Sequence, residues 1–271
     1  MIVQAMRSLV FYAIYLTQTV IIAVIVGTVA LFIPRRTAFT WALVRYWCFS
    51  NAFLVRAVAG IGTEVSGAEN IPAGGCIIAA KHQSDWDVFA IFPYTERPAY
   101  IVKKELMRIP FFGWAARSLD CIEVDRKRGG DAIPAMMAQA RDAVHRGCRI
   151  VIFPEGTRTM PLAAPAYKFG VARMYAELNV PVVPVALNSG LFWGRNSLIL
   201  WPGRARARFL PAIMPGLSAE AMHQRLEADI ETASNDLILR AAHEGLSRPV
   251  PPELRDKLEA LERSASGSEA G

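Results

Sequence analysis

The chain has 271 residues, a formal net charge of +6 and 53% hydrophobic residues, enough for one sizeable core with a helical appendage but too little apolar content for a polytopic membrane protein. The basic excess points to an anionic partner, a lipid headgroup or a phosphorylated substrate; basic residues scattered along the chain, with no aromatic-laced stripe, argue against nucleic acid. Four widely spaced cysteines, Cys48, Cys76, Cys121 and Cys148, form no CxxC pair and argue against a zinc site; they read as reduced thiols of a cytoplasmic protein.

From Ser8 to Pro34 about 27 residues carry no charge, bracketed by Arg7 and by Arg35 and Arg36. As a helix this stretch is roughly 40 Å long, enough to cross a bilayer, and too long for the apolar part of a signal peptide. A second stretch, Trp41 to Ile61, holds five aromatics with only Arg45 and Arg56 as charges. Eleven residues at 100° each bring these arginines to nearly one azimuth, which predicts a helix lying in the membrane interface. Two arrangements remain open here: a single span, or a hairpin dipping into one leaflet.

Beyond Val65, short apolar runs alternate with helical patterns. Strands are predicted over 76–80, 99–102, 121–124, 149–153 and 182–187. Helices are predicted over 87–92, 132–146, 171–178, 219–242 and 251–263, with Gly147 and Asn179 as stops. This alternation implies an α/β fold with a central, mostly parallel mixed sheet flanked by helices, joined to an N-terminal membrane-docking helical segment. The expected organisation is N-terminal helices over 1–62, a catalytic α/β domain over 63–216, C-terminal helices over 217–263 and a disordered tail over 264–271.

Two loops carry chemistry. Lys81-His82-Gln83-Ser84-Asp85-Trp86-Asp87 follows the first of these strands and leads into a helix. Five residues apart, His82 and Asp87 would not meet on a continuous helix; across a strand-to-helix turn Asp87 can accept from one imidazole nitrogen, fix the tautomer and leave the other nitrogen as a base. An alcohol attacking a thioester needs such a base. Taken alone, the pair also reads as a loop histidine beside a helix-capping aspartate. Phe153-Pro154-Glu155-Gly156-Thr157-Arg158 follows the strand at 149–153. Here Arg158 offers a fork for phosphate oxygens, Gly156 permits close backbone approach, and Glu155 can hold a glycerol hydroxyl or position a basic neighbour. A simple turn with a local Glu–Arg pair is the alternative. Both loops leave the C-terminal ends of buried strands, where α/β sheets bind ligands, so they are expected to share one crevice. Lys103 and Arg126 are further cations for a phosphate, and Val180 to Leu187 reads as packing or acyl-chain surface.

In combination these blocks, KHQSDWD (81–87), KKEL…PFFGW…IEVDR (103–126), FPEGTR (153–158) and VPVVPVALNSG (180–190), resemble the bacterial 1-acyl-glycerol-3-phosphate acyltransferase family. The resemblance covers roughly residues 65 to 215; Glu123 departs from the apolar residue the family often has before its Asp-Arg pair. It implies His82 as general base with Asp87 as partner, and an acceptor-phosphate site of Lys103, Arg126, Glu155, Gly156, Thr157 and Arg158. It implies transfer of a fatty acyl group from acyl-CoA or acyl carrier protein to lysophosphatidic acid, with no metal and no cofactor. Direct transfer is favoured, because no Ser or Cys stands in a nucleophile setting beside His82. The expected location is the inner membrane, with the catalytic domain facing the cytoplasm. Another lysolipid acceptor, such as a lyso-ornithine lipid, or a non-catalytic membrane-binding homologue, are the competing assignments.

Overall fold

A computed structural model describes residues 1–33, 38–164 and 166–268. Seven strands, β1 (Ile61–Ser66), β2 (Cys76–Ala80), β3 (Pro98–Lys103), β4 (Ile122–Val124), β5 (Arg149–Ile152), β6 (Val182–Leu187) and β7 (Gly203–Phe209), form one sheet in the order β1-β7-β6-β2-β5-β3-β4. All neighbours pair in parallel except β6 and β7. The sheet is therefore mostly parallel and mixed, as the sequence predicts.

Every residue of β2 and β6 is buried, because helices cover both faces of the sheet. Along β2 the side chains alternate between two cores. Ile77 and Ala79 pack with α6 (Ile133–His145), α7 (Gly170–Leu178) and the first half of α8 (Ala219–His243). Cys76, Ile78 and Ala80 pack with the N-terminal helices, α3 (Trp86–Ile91) and the end of α8. The turn of left-handed backbone that stops α7 is Asn179, at φ 51°. Near the C-terminus α9 (Pro252–Ser268) continues through Ser268, past the Ser264 expected to begin a disordered tail; residues 269–271 lie outside the described residues.

Two strands have no counterpart among the predicted elements. The segment Arg204 to Phe209 in β7 alternates arginine with Ala205, Ala207 and Phe209, which enter the core. Arg206 is buried with two of its three guanidinium nitrogens paired: its Nε donates to Glu64 at 3.1 Å and its Nη2 donates to Glu244 at 2.5 Å.

Helix α1 (Ile2–Phe32) is long and apolar enough to cross a membrane by length and composition. It lies along the α/β domain. Gln4 donates to the carbonyls of Ala59 and Leu200 at 3.0 and 2.6 Å, the Tyr12 hydroxyl donates to the Ser197 carbonyl at 2.9 Å, and Phe11 meets Trp193 edge to face at 5.3 Å. Further along, Gly27 lies so close to Phe111 that a Cβ there would stand 2.4 Å from the Phe111 carbonyl oxygen. The opposite face leaves Leu9, Leu16, Val20, Ile21 and Leu31 exposed. Pro34, Arg35 and Arg36, which bracket the apolar stretch in the sequence, lie outside the described residues.

Helix α2 (Ala38–Leu54) packs back against α1, with Gln18 donating to Asn51 at 2.9 Å and the Trp47 indole donating to Thr19 at 2.9 Å. Its aromatics are divided. Phe39, Tyr46, Phe49 and Phe53 are exposed, whereas Trp41 and Trp47 pack on Phe92 and Phe89. The bounds of the helix predicted over 41–61 are corrected: α2 ends at Leu54 in a one-turn π-helical bulge, Val55–Ala59, and Arg45 and Arg56 are both exposed.

Candidate active site

Strand β2 ends at Ala80, and the chain turns through residues 81–85 into α3, so the KHQSDWD loop folds back on itself. His82 Nδ1 lies 3.0 Å from Asp87 Oδ2. The same oxygen accepts the backbone N–H groups of Gln83 at 2.6 Å and Ser84 at 2.9 Å. The other oxygen, Oδ1, accepts the hydroxyls of Ser84 at 3.0 Å and Ser189 at 2.5 Å. Asp87 is fully buried, while His82 keeps part of its ring accessible. A carboxylate filled with donors places the imidazole proton on Nδ1 and leaves Nε2 as an acceptor. The ring is stacked on Phe153, centroids 4.0 Å apart, so its plane is fixed as well as its tautomer. Asp87 thus holds the turn's N–H groups, and the Ser84 hydroxyl supports it.

The FPEGTR loop follows β5 and meets His82 from the other side. Glu155 Oε2 accepts the His82 backbone N–H at 2.7 Å; Oε1 accepts from Lys81 Nζ at 3.1 Å and the Thr159 hydroxyl at 2.9 Å. Both oxygens are paired and the residue is buried, so Glu155 clamps two loops together. Burial pushes its carboxyl above the ordinary range, against the opposing pull of Lys81. The local Glu–Arg pair offered by the sequence does not form. Arg158 Nη1 instead donates to Asp85 Oδ1 at 3.0 Å. Gly156 takes φ +69°, and its carbonyl accepts from Arg126, which ties the loop to the segment after β4.

These loops open into a cavity of about 640 Å³. Its lining includes His82, Lys103, Arg126, Gly156, Thr157 and Arg158. Apolar side chains line the rest: Ile22 and Val26 of α1, Trp47 of α2, and Ala115, Ala116 and Leu119 in and after α5 (Phe112–Ser118). Lysine and arginine groups, a base and a set of apolar side chains thus line one cavity. Cys121 also lines this space, and burial pushes its thiol up to about 12. At neutral pH it is a protonated thiol and a poor nucleophile. Among the described residues no group of three or more His, Cys, Asp or Glu is placed to hold a metal ion.

A family model described as Acyltransferase matches residues 62–188. The chain is 32% identical over 84% of its length, and 87% of the relative's, to 1-acyl-sn-glycerol-3-phosphate acyltransferase of Pseudomonas aeruginosa. The chain belongs to the 1-acyl-sn-glycerol-3-phosphate acyltransferase family. It is also 28% identical to the mouse 1-acyl-sn-glycerol-3-phosphate acyltransferase alpha, over 66% of this chain and 67% of the relative. The fold matches the crystal structure of the 1-acyl-sn-glycerophosphate (LPA) acyltransferase of Thermotoga maritima with a TM-score of 0.71 at 22% identity, over 86% of this chain and 97% of that one.

Three residues of this acyltransferase site escape sequence reasoning. Ser189 holds Asp87 from 102 positions away, Lys81 holds Glu155, and Arg195 lines the cavity from the loop before β7. The SG pair at the end of VPVVPVALNSG is the one signal that points to Ser189; nothing in the sequence ties Arg195 to the other cations.

Proposed function

We propose that the chain transfers a fatty acyl group from acyl-CoA or acyl carrier protein to the sn-2 hydroxyl of 1-acyl-glycerol-3-phosphate, giving phosphatidic acid, with His82 as general base. The observation that carries this reading is the single cavity lined by His82, by the cations Lys103, Arg126 and Arg158 and by the apolar side chains of α1, α2 and α5. The cations hold the acceptor phosphate. His82 Nε2 removes the proton from the acceptor hydroxyl, whose oxygen attacks the thioester carbonyl as the thiol departs. Asp87 orients the ring and stabilises the imidazolium formed. The high protonation range of Cys121 supports direct transfer over an acyl-enzyme.

The exposed apolar face of α1, continued by Phe39, Phe49 and Phe53 of α2, suits burial in one leaflet, with the domain held at the surface where its lipid substrate lies. In a bacterial cell that surface is the cytoplasmic face of the inner membrane, where acyl-CoA and acyl carrier protein are supplied.

The test is purified full-length protein with oleoyl-CoA, with and without 1-oleoyl-lysophosphatidate. Phosphatidate and free CoA appear together only when the acceptor is present, and His82→Ala lowers turnover by about 10²–10⁴-fold with its melting temperature unchanged. Thiol release without acceptor, or near-normal turnover in His82→Ala, overturns the proposal.

A further inference from the structure

Lys81 is among the largest fully buried side chains of the protein, with 1% of its surface exposed. Its ammonium lies 3.1 Å from Glu155 and 2.5 Å from Glu231. Glu231 sits midway along α8, outside the segment matched by the acyltransferase family model. The Glu231 oxygen that meets Lys81 also accepts the Tyr167 hydroxyl at 2.7 Å. None of Lys81, Glu155, Glu231 and Tyr167 lines the substrate cavity. The cluster thus joins α8 to the main chain of His82 in three steps: Glu231 to Lys81, Lys81 to Glu155, Glu155 to the His82 N–H.

A buried ammonium between two carboxylates is a poor source of stability, since desolvation offsets most of the attraction. It is a strong source of direction. With Oε1 held by Lys81 and Thr159, the other oxygen of Glu155 has one orientation, aimed at the His82 N–H. The His82 carbonyl accepts the Thr159 N–H at 2.8 Å while the His82 N–H donates to Glu155, so the peptide groups on both sides of the histidine Cα are pinned.

We propose that Lys81 and Glu231 are positioning residues for acyl transfer, acting on His82 through Glu155, so that α8 sets the geometry of the base from behind the sheet. This rests on the reading of His82 as the general base. Lys81 cannot touch substrate, and its contribution is realised as alignment of the imidazole with the acceptor hydroxyl. Misalignment on this scale costs turnover more than binding, because the phosphate and acyl subsites are built from other residues.

The experiment measures steady-state kinetics of the full-length enzyme with oleoyl-CoA and 1-oleoyl-lysophosphatidate for Lys81→Met, Glu231→Gln, the double variant and His82→Ala. Lys81→Met is expected to lower kcat by about 10²-fold, with KM for both substrates within about twofold of the parent. Glu231→Gln is expected to lower kcat by about fivefold, and to cost nothing further when Lys81 is already Met, since both act along one path. Independent, multiplicative losses in the double variant, a loss confined to KM, or full kcat in either single variant alongside an inactive His82→Ala overturns the inference alone. An active His82→Ala overturns the base reading instead. Should Lys81→Met not fold, Glu231→Gln and Tyr167→Phe carry the same requirement of a fall in kcat at constant KM, and a full kcat in both refutes the proposal.

Discussion

The carboxylate of Glu155 accepts the backbone N–H of His82 at 2.7 Å, so the acidic residue of the FPEGTR loop is bound to the histidine and does not line the cavity. Glu155→Ala removes that clamp and leaves the Lys81 ammonium, 1% exposed, with one partner where it had two. Breaking a buried pair from one side costs about 3–5 kcal/mol. The expected variant melts at lower temperature and turns over slowly, with its acceptor KM unchanged. A rise in acceptor KM as the main effect would instead mean that Glu155 touches the lysolipid.

The raised carboxyl of Glu155 has a sign in stability against pH. Its native protonation range lies above that of the unfolded chain, chiefly because burial disfavours the charged form. The native state therefore holds this proton more tightly. The associated stability is complete below the ordinary glutamate range and is lost as pH rises through the raised value. Glu155→Gln lacks this component. Thermal melts of both proteins from mildly acidic to neutral pH should show the melting temperature of the variant gaining on the parent as pH rises. A difference that stays flat would show that Lys81 cancels the burial.

Arg158 donates to Asp85 at 3.0 Å, and both residues line the cavity. Each is part exposed, so this ion pair is worth at most about 1 kcal/mol and yields readily to a phosphate dianion. Arg158→Ala is expected to raise the acceptor KM by about ten- to a hundredfold, the value of one charge-assisted hydrogen bond, with a smaller change in kcat. Asp85→Asn frees the guanidinium and is expected to lower that KM by up to about fivefold. Titration with lysophosphatidates at constant donor measures both.

The buried strands β2, β5 and β6 were legible because their sequences are short, continuous apolar runs closed by polar loops, which is what two covered faces require. The site loops were legible for a related reason, since each follows such a run. Strand β7 was not, because Arg204, Arg206 and Arg208 look solvated until Glu64 and Glu244 are brought to Arg206 from 142 and 38 positions away. Glu155 posed the same difficulty. Its residue type suits a substrate hydroxyl as well as a buried ammonium, and only the packing of α8 under Lys81 decides between them. The division of α2 aromatics between core and exterior likewise depends on where Phe89 of α3 and Phe92 just beyond it stand.

Gly27 tests the docking of the N-terminal helix. A leucine there would drive its Cβ against the backbone of Phe111, 2.4 Å from the carbonyl oxygen and 2.6 Å from Cα, where no side chain can swing aside. Overpacking of this kind costs about 1–3 kcal/mol. Because α1 walls the cavity through Ile22 and Val26, Gly27→Leu is expected to lower both melting temperature and turnover with long-chain donors. Val20→Ala, on the exposed face of the same helix, should change neither in detergent solution.

The apolar space beyond His82 sets a limit on the acyl chain that enters it. Ala115 of α5 packs with Ile22 and Val26, and its neighbour Ala116 also lines that space with a small side chain. Replacing Ala116 by phenylalanine fills the passage from one side without adding charge. Each methylene held out of an apolar site forfeits about 0.8 kcal/mol, so excluding two lowers kcat/KM by about tenfold. Ala116→Phe is therefore expected to leave short-chain acyl-CoA turnover near the parent value and to depress long-chain turnover progressively. A series of saturated acyl-CoA donors at fixed lysophosphatidate gives the profile. An equal loss at every chain length would place the acyl group elsewhere, and would leave the cavity to the acceptor lipid alone.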